Sequence, residues 1–466
     1  MSHQDHGLGS GGEKFGEQLC EAVRWLVTPD AFSGIRFRED CTWTPWLLVA
    51  AALVWVWSGE PTLTERFETA RSVVQEAFAV QHEFAGSYQA WMKMLVRWTS
   101  PLLNVLLAAL RRRMRRRFAR SRIAGWNVFA VDGSRFELSR TASNQQKYCP
   151  ASCRGKRRGQ RKSTRRGRAA KARRKKAENP QMWVTTMWHV GTGLPWDWRT
   201  GPSDSSERSH LLEMIAALPV GCLVTGDAGF VGYAYWKALG DAGHPFVIRV
   251  GSNVKLLTGL GYVRQRNGLV YLWPDAAAAK RLPPLTLRLV VVHNGKHPVY
   301  LVTDILDAKE LSDDDVVEIY RHRWGIEVYY RSLKQTFERR KLRSHKAEHA
   351  RVELDWSMAG LWAACLYAQH CGRMTPHRLS VAGVLRAFRR AIHHYAVFPK
   401  EGQDLTTRLA QAVIDNYPRR NKSSRDYPRK KQEKPAGSPK IIPATRDQVQ
   451  HARDIKREQC EIRLTA

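Results

Sequence analysis

The sequence predicts a mixed α/β domain set between helical and strongly basic flanks, and three observations carry that prediction. Residues 1 to about 122 are rich in Ala and Leu at helical spacing, with no alternating strand pattern. From Trp126 the chain changes to short apolar runs closed by turn residues, beginning with "WNVFAVDG". From Ser312 a long helical pattern returns. With 466 residues, 43% apolar content and 17 tryptophans, the chain can fill the cores of two or three domains.

The first segment, 1–122, reads as a helical N-terminal domain, with Pro61 near a helix start. Its most apolar stretch, "WLLVAAALVWVW" from Trp46 to Trp57, falls well short of the ~20 residues a membrane-spanning helix needs, so it predicts a buried helix. No helix-turn-helix pattern stands out. Eight cysteines without short regular spacing predict free thiols in a reducing, cytoplasmic compartment. Cys149 and Cys153 are four apart, but no second ligand pair accompanies them, and a zinc site is not expected.

The formal charge of +33 favours a polyanionic partner, with nucleic acid ahead of a membrane surface. The charge is concentrated in three runs. Arg111 to Arg122 holds 8 arginines, Arg154 to Lys176 holds 14 Lys/Arg and no acid, and Arg419 to Lys434 holds 8 Lys/Arg against two acids. One such run is often only a solvated face, whereas three in one chain point to a phosphate backbone. Contacts of that kind give affinity and salt dependence but little sequence preference.

The middle segment, 123–345, opens on the apolar run that reaches Asp132-Gly133 and reads as a buried strand entering a turn. A basic insertion, about 154–178, is too charged and repetitive to pack. Strand-like sequence resumes at Met182–Val190, a helix follows from about Ser206 to Leu218, and "CLVTGD" is a second buried strand ending on Asp227. A short helix (Tyr233–Leu239), the strand "PFVIRV" and a β-rich block, about 251–300, come next. Ser312 with Asp315 forms a capping box, and an unbroken helix is predicted from there to Lys341. Residues 346–466 are read as a helical C-terminal region with a basic tail from about 418.

That helix, within "IYRHRWGIEVYYRSLKQ", places Tyr320, Arg323, Glu327, Arg331 and Lys334 at spacings of 3, 4, 4 and 3, on one narrow stripe. Exposed i,i+4 ion pairs explain such a stripe most simply, and Asp-Gly after a strand is most often a turn. Three carboxylates, Asp132, Asp227 and Glu327, have a joint explanation as well. Brought together they stay ionised only if cations neutralise them, and hard divalent ions are the natural partners. Two Mg²⁺ ions about 3.5 to 4 Å apart can activate an attacking hydroxyl and stabilise a departing phosphodiester oxygen.

The pattern Y-x2-R-x3-E-x6-K formed by Tyr320, Arg323, Glu327 and Lys334 resembles the signature of the insertion-sequence DDE transposases that cut and paste DNA through hairpin ends. "VDGSRFELS" around Asp132 and "TGDAGF" around Asp227 are similar to the same family, and the resemblance covers roughly residues 125–345. It implies an RNase H-like catalytic core in which Asp132, Asp227 and Glu327 hold two Mg²⁺ ions, replaceable by Mn²⁺. Arg323 and Lys334, with Arg331 beside them, are then expected to contact phosphates, and Tyr320 to position one through its hydroxyl. The implied partners are double-stranded DNA, both terminal inverted repeats and target, and a second copy of the chain in a synaptic dimer. The implied setting is the nucleoid of a prokaryotic cell, with no membrane partner. The 100 residues between Asp227 and Glu327 leave room for only a modest insertion, in which Trp273 is a candidate base stacker and equally a candidate core residue.

Three rival readings remain open at this point. An RNase H-like nuclease without strand transfer uses the same acids but leaves the Tyr, Arg and Lys spacing unexplained. A nucleic-acid-packaging protein leaves the acids unexplained as well. An inactive DNA-binding relic keeps every motif.

Overall fold

Val128–Val131 and Leu223–Gly226 pair as neighbouring parallel strands, Val128 opposite Leu223 and Val131 opposite Gly226, and a mixed ten-stranded sheet extends outward from them. The structure, a computed structural model, describes residues 13–84, 86–151, 179–294, 297–372, 379–414 and 437–465. The basic runs 154–176 and 419–434 lie outside the described residues.

The strands are β1 (Val128–Glu137), β2 (Gln181–His189), β3 (Leu194–Gly201), β4 (Leu223–Gly226), β5 (Phe246–Val250), β6 (Lys255–Thr258), β7 (Leu269–Leu272), β8 (Leu285–Asn294), β9 (His297–Thr303) and β10 (Lys440–Pro443). Their order across the sheet is β10-β6-β7-β8-β9-β5-β4-β1-β2-β3. β1, β4 and β5 run parallel, while β9, β8, β7 and β6 continue as an antiparallel extension. The parallel strands are continuous apolar runs because both of their faces are covered, and Val128 to Val131, Leu223, Val224 and Phe246 to Ile248 are all buried.

Three expectations are corrected here. β1 does not end at Asp132-Gly133 but runs on to Glu137, with Trp183 and Glu207 filling the space beside Gly133 where a side chain would stand. The helix after Ser312 is not continuous. It runs Asp313–His322, turns at Arg323-Trp324, resumes as Gly325–Arg331 and ends in a π turn, Ser332–Thr336. The second segment opens at Gly325, which packs so closely on the Trp188 ring that a Cβ there would stand 2.1 Å from it. Lastly, the C-terminal region is not all helix, since β10 adds a parallel edge strand to β6 before the final helix, Arg446–Thr465.

The chain divides into two compact units, neither of them contiguous. One comprises Met1–Arg117, Phe136–Met182 and Tyr330–Asp415; the other comprises Phe118–Arg135, Trp183–Tyr329 and Asn416–Ala466. The N-terminal helices therefore do not stand alone as 1–122, and the reason is burial. In the helix Ala347–Gly372 every residue from Val352 to Gln369 is buried, and such a helix needs a coat on all sides. Pro45–Trp57 supplies part of it: Trp57 donates its indole N–H to the Gly360 carbonyl (2.8 Å), and a Cβ at Gly360 would lie 2.4 Å from Val56.

Candidate active site

The parallel register of β1 and β4 decides where the two aspartates go. The last paired residues are Val131 and Gly226, so Asp132, midway along β1, and Asp227, just past the end of β4, are the next residues side by side where the β1–β4 pairing stops. Open parallel sheets commonly bind ligands at that edge. Asp132 Oδ1 accepts from the Gly133 N–H at 2.8 Å, and Asp227 Oδ1 accepts from the Gly229 N–H at 2.8 Å, capping the short turn Ala228–Phe230. Burial pushes the Asp132 carboxyl up to about 7, and the Asp227 charge adds to it. The Gly133 N–H and Arg323 pull the other way, and Glu327 raises it again.

A fourth carboxylate, missing from the sequence reading, lies beside them. Glu207 opens the helix Glu207–Met214 after the N-cap Ser206. A Cβ at Gly133 would stand 2.0 Å from its Oε1, and one at Gly229 would stand 3.5 Å from its Oε2 and 3.0 Å from Asp227 Oδ1. Gly133 thus admits the Glu207 carboxylate, and Gly229 lies in contact with both it and Asp227. Its pKa is pushed up to about 7, first by burial and then by Asp132 and Asp227, with Arg135 and Arg208 opposing. An acid in the first turn of a helix is ordinary for capping and dipole reasons, so no local signal marks it.

The helical break at Arg323-Trp324 shapes the cationic side. Ile326 and Glu327 donate their N–H groups to the Arg323 and Trp324 carbonyls (both 3.1 Å), three residues back, so the junction is wound tighter than an α-helix. Arg323 is only 8% exposed, its guanidinium carbon lies 5.4 Å from the centre of the Tyr320 ring, and its Nη2 donates to Glu327 Oε1 at 3.0 Å. Burial works against the Arg323 charge, but Tyr320, Glu327 and Asp227 outweigh it and hold its pKa above the usual arginine value. Arg323 is therefore engaged with Glu327 inside the chain, as the i,i+4 ion-pair reading of the stripe anticipates.

Tyr320, Arg323 and Glu327 share a unit with Asp132, Asp227 and Glu207. Arg331 and Lys334 belong to the other unit, where Arg331 is exposed and Lys334 Nζ lies 5.1 Å from the centre of the Phe136 ring. The broken helix means that the five residues do not form a single straight stripe. Trp273 is 4% exposed, donates to the Leu282 carbonyl (2.8 Å) and packs with Leu257, Leu260 and Ile455, which makes it a core residue. Among the described residues no helix is long and apolar enough to cross a membrane.

The donor set around Asp132 is all carboxylate oxygen, which suits a hard divalent cation, and burial first, then the Asp227 charge, raises the Asp132 pKa against the pull of Arg323. As the side chains stand, no three His, Cys, Asp or Glu among the described residues form a ready-made ion cage, and Glu327 is occupied by Arg323.

With this geometry in view, the sequence was compared with known proteins. The profile of the family described as "Transposase DDE domain" matches residues 125–362, about half of the chain. The transposase InsG for insertion sequence element IS4, from Escherichia coli strain K12, is 28% identical over 195 residues, 39% of this chain. The matched part spans 43% of that relative's length. A cryo-EM structure of a piggyBac transposase synaptic complex with hairpin DNA aligns over 89% of this chain and 90% of its own, at 10% identity and a TM-score of 0.40, a loose likeness only.

Proposed function

The chain belongs to the transposase DDE domain family, and on that premise we propose that it is a DNA transposase that excises a mobile element and joins it to target DNA. The observation that carries this reading is the pair Asp132 and Asp227, set side by side by the register of β1 and β4, with Glu327 electrostatically linked to Asp132 within the same unit. In this reading the core is RNase H-like, and Asp132, Asp227 and Glu327 hold two divalent ions, Mg²⁺ by preference and Mn²⁺ in its place. Ions held there supply Lewis-acid activation of the attacking oxygen and charge neutralisation at the leaving oxygen.

The chain's own residues supply binding and orientation. Arg323, which in this structure donates to Glu327, would offer its guanidinium to a phosphate beside the scissile bond. Tyr320, packed on that guanidinium, orients a phosphate with its hydroxyl, and Lys334 and Arg331 contact the backbone further along. Water nicks one strand at the element's end, and the freed 3′-hydroxyl attacks the opposite strand to close a hairpin. The hairpin is then reopened, and the end is transferred to target DNA. Two ends must be joined at once, which calls for a dimer in the synaptic complex.

The test gives purified protein a labelled duplex carrying the element's terminal inverted repeat and Mg²⁺, with products separated on a denaturing gel. Hairpins and strand-transfer products that vanish in Glu327→Gln support the proposal. Hydrolysis at any sequence, without joining, assigns the chain to the nucleases, and no cleavage under any metal marks an inactive relic.

A further inference from the structure

A pocket of 590 Å³ lies in the segment that follows the π turn, within the unit that contains Lys334. Its charged lining is Lys334, Arg340, Lys341, Arg343 and His345 against one carboxylate, Glu338. Nothing in the catalytic scheme above uses the last four cations or the acid.

The segment is held as a frame. Glu137 N–H donates to the Arg340 carbonyl (3.0 Å), and Leu342 N–H donates back to the Glu137 carbonyl (2.9 Å). Arg343 N–H (3.1 Å), Ser344 N–H (3.0 Å) and Ser344 Oγ (2.7 Å) all donate to Glu353 Oε2, a carboxylate 1% exposed. Asn144 Nδ2 and Thr141 Oγ1 donate to the Ser344 and His345 carbonyls at 3.2 and 2.5 Å. Leu342 and Ser344 point into the core, so Lys341, Arg343 and His345, which alternate with them, are exposed. The backbone that presents the cations is thus ordered beforehand, which lowers the entropy cost of binding an anion.

The one acid has an unusual position. Glu338 sits at φ +57°, a left-handed conformation disfavoured for a side-chain-bearing residue. From there its carboxylate reaches Arg343 at 4.0 Å and Arg389 at 3.9 Å, both at the outer limit of an ion pair. Arg340 is held by Glu137 no more tightly, at 3.8 Å. Among the described residues Lys341 has no carboxylate within ion-pair distance.

We propose that this pocket binds a phosphate of the DNA backbone through Arg340, Lys341 and Arg343, and that Glu338 is an internal anion which the phosphate displaces. The inference rests on the DNA-binding reading and extends it to residues that the catalytic scheme does not use. The loop carries only basic contacts, so the contact adds affinity without sequence preference. Glu338 weakens it, keeping the pocket from holding arbitrary anions tightly.

The experiment is fluorescence anisotropy of the full chain with a labelled duplex in EDTA, where no turnover occurs, repeated across a salt series. Lys341→Gln is expected to weaken binding several-fold at low salt and to lower the slope of log K against log salt by about 0.9, the amount for one phosphate contact. Lys341→Arg should restore both. Glu338→Gln should tighten binding roughly two- to fivefold, the range for removing one exposed ion pair. Glu338→Asn, which suits the left-handed backbone, should do the same and guards against a folding artefact. Unchanged affinity and slope in Lys341→Gln, or weaker binding in both Glu338 variants, overturns the pocket while wild-type binding and cleavage keep the transposase reading intact. A wild-type chain that binds no duplex overturns both. Inorganic phosphate that competes at low millimolar concentration, with no change of salt slope among the variants, assigns the pocket to a free anion instead.

Discussion

Two acids, the buried Glu353 in one unit and the half-buried Asp132 in the other, are treated in opposite ways. Glu353 receives two backbone N–H groups and a hydroxyl, and the buried Arg339 and Arg66 add positive charge to its surroundings. Cation is even in excess there: burial, then Arg339 and Arg343, lowers the Arg66 pKa to about 9, with Glu353 opposing. Around Asp132 acid is in excess: beyond the effect of burial, Asp227 and Glu327 raise its pKa, and Asp132 and Asp227 raise that of Glu207. A carboxylate that holds a fold is matched by donors, whereas unrelieved like charge is a cost that only function explains.

Substitutions sharpen that contrast. Glu327→Gln or Asp227→Asn should lower end cleavage by about 10³-fold or more, as expected for losing a group that stabilises transition-state charge, while thermal melting without metal stays near wild type. Glu353→Ala should do the reverse in kind. It removes the negative charge facing Arg339 and leaves the Arg343 N–H, Ser344 N–H and Ser344 hydroxyl without their acceptor, destabilising the fold by about 3–5 kcal/mol, read by denaturant unfolding. If Glu353→Ala melts like wild type, the contrast is broken.

Gly133→Ala tests whether Glu207 belongs with the aspartates. The added methyl would collide with its carboxylate and with the Trp183 ring. Cleavage should fall on the order of 10²-fold, the scale of a misplacement of about 1 Å, and Glu207→Gln should fall in the same direction. Full activity in both variants removes Glu207 from the site.

The smallest effect concerns a neutral buried group. His189 is stacked on Phe118 with ring centres 4.4 Å apart, its Nδ1 is 2.9 Å from Thr192 Oγ1, and burial lowers its pKa to about 3. The unfolded chain takes up that proton near pH 6.5, before the folded one does. Its contribution to stability is therefore complete above that pH and is lost progressively as pH falls toward 3. In His189→Gln, urea unfolding followed from pH 7 to 4 should lose about one proton of this pH dependence.

Much of the local structure is legible in the sequence because its signals are short-range. "WNVFAV", "CLVTG" and "PFVIRV" are apolar runs of strand length, and they form β1, β4 and β5. Ser312 and Asp315 form the capping box their spacing suggests, with Ser312 Oγ accepting from Asp315 N–H at 3.1 Å. The candidate residues Asp132, Asp227, Glu327, Tyr320, Arg323 and Lys334 are likewise readable, since they sit on these elements or in a fixed spacing pattern. The helix break is less legible. Gly325 is visible, but the Trp188 ring that exploits it comes from a strand more than a hundred residues away.

By itself, then, the sequence determined the element types, the excess of positive charge and the roster of acids, because each depends on residues within a turn or two of one another. Tertiary structure alone decided that Val131 pairs with Gly226 and so sets the two aspartates abreast. It also decided that Glu207 occupies the space left by Gly133, and that Arg323 pairs with Glu327. Those outcomes depend on register and packing between distant segments, and no local pattern encodes which distant partner will arrive.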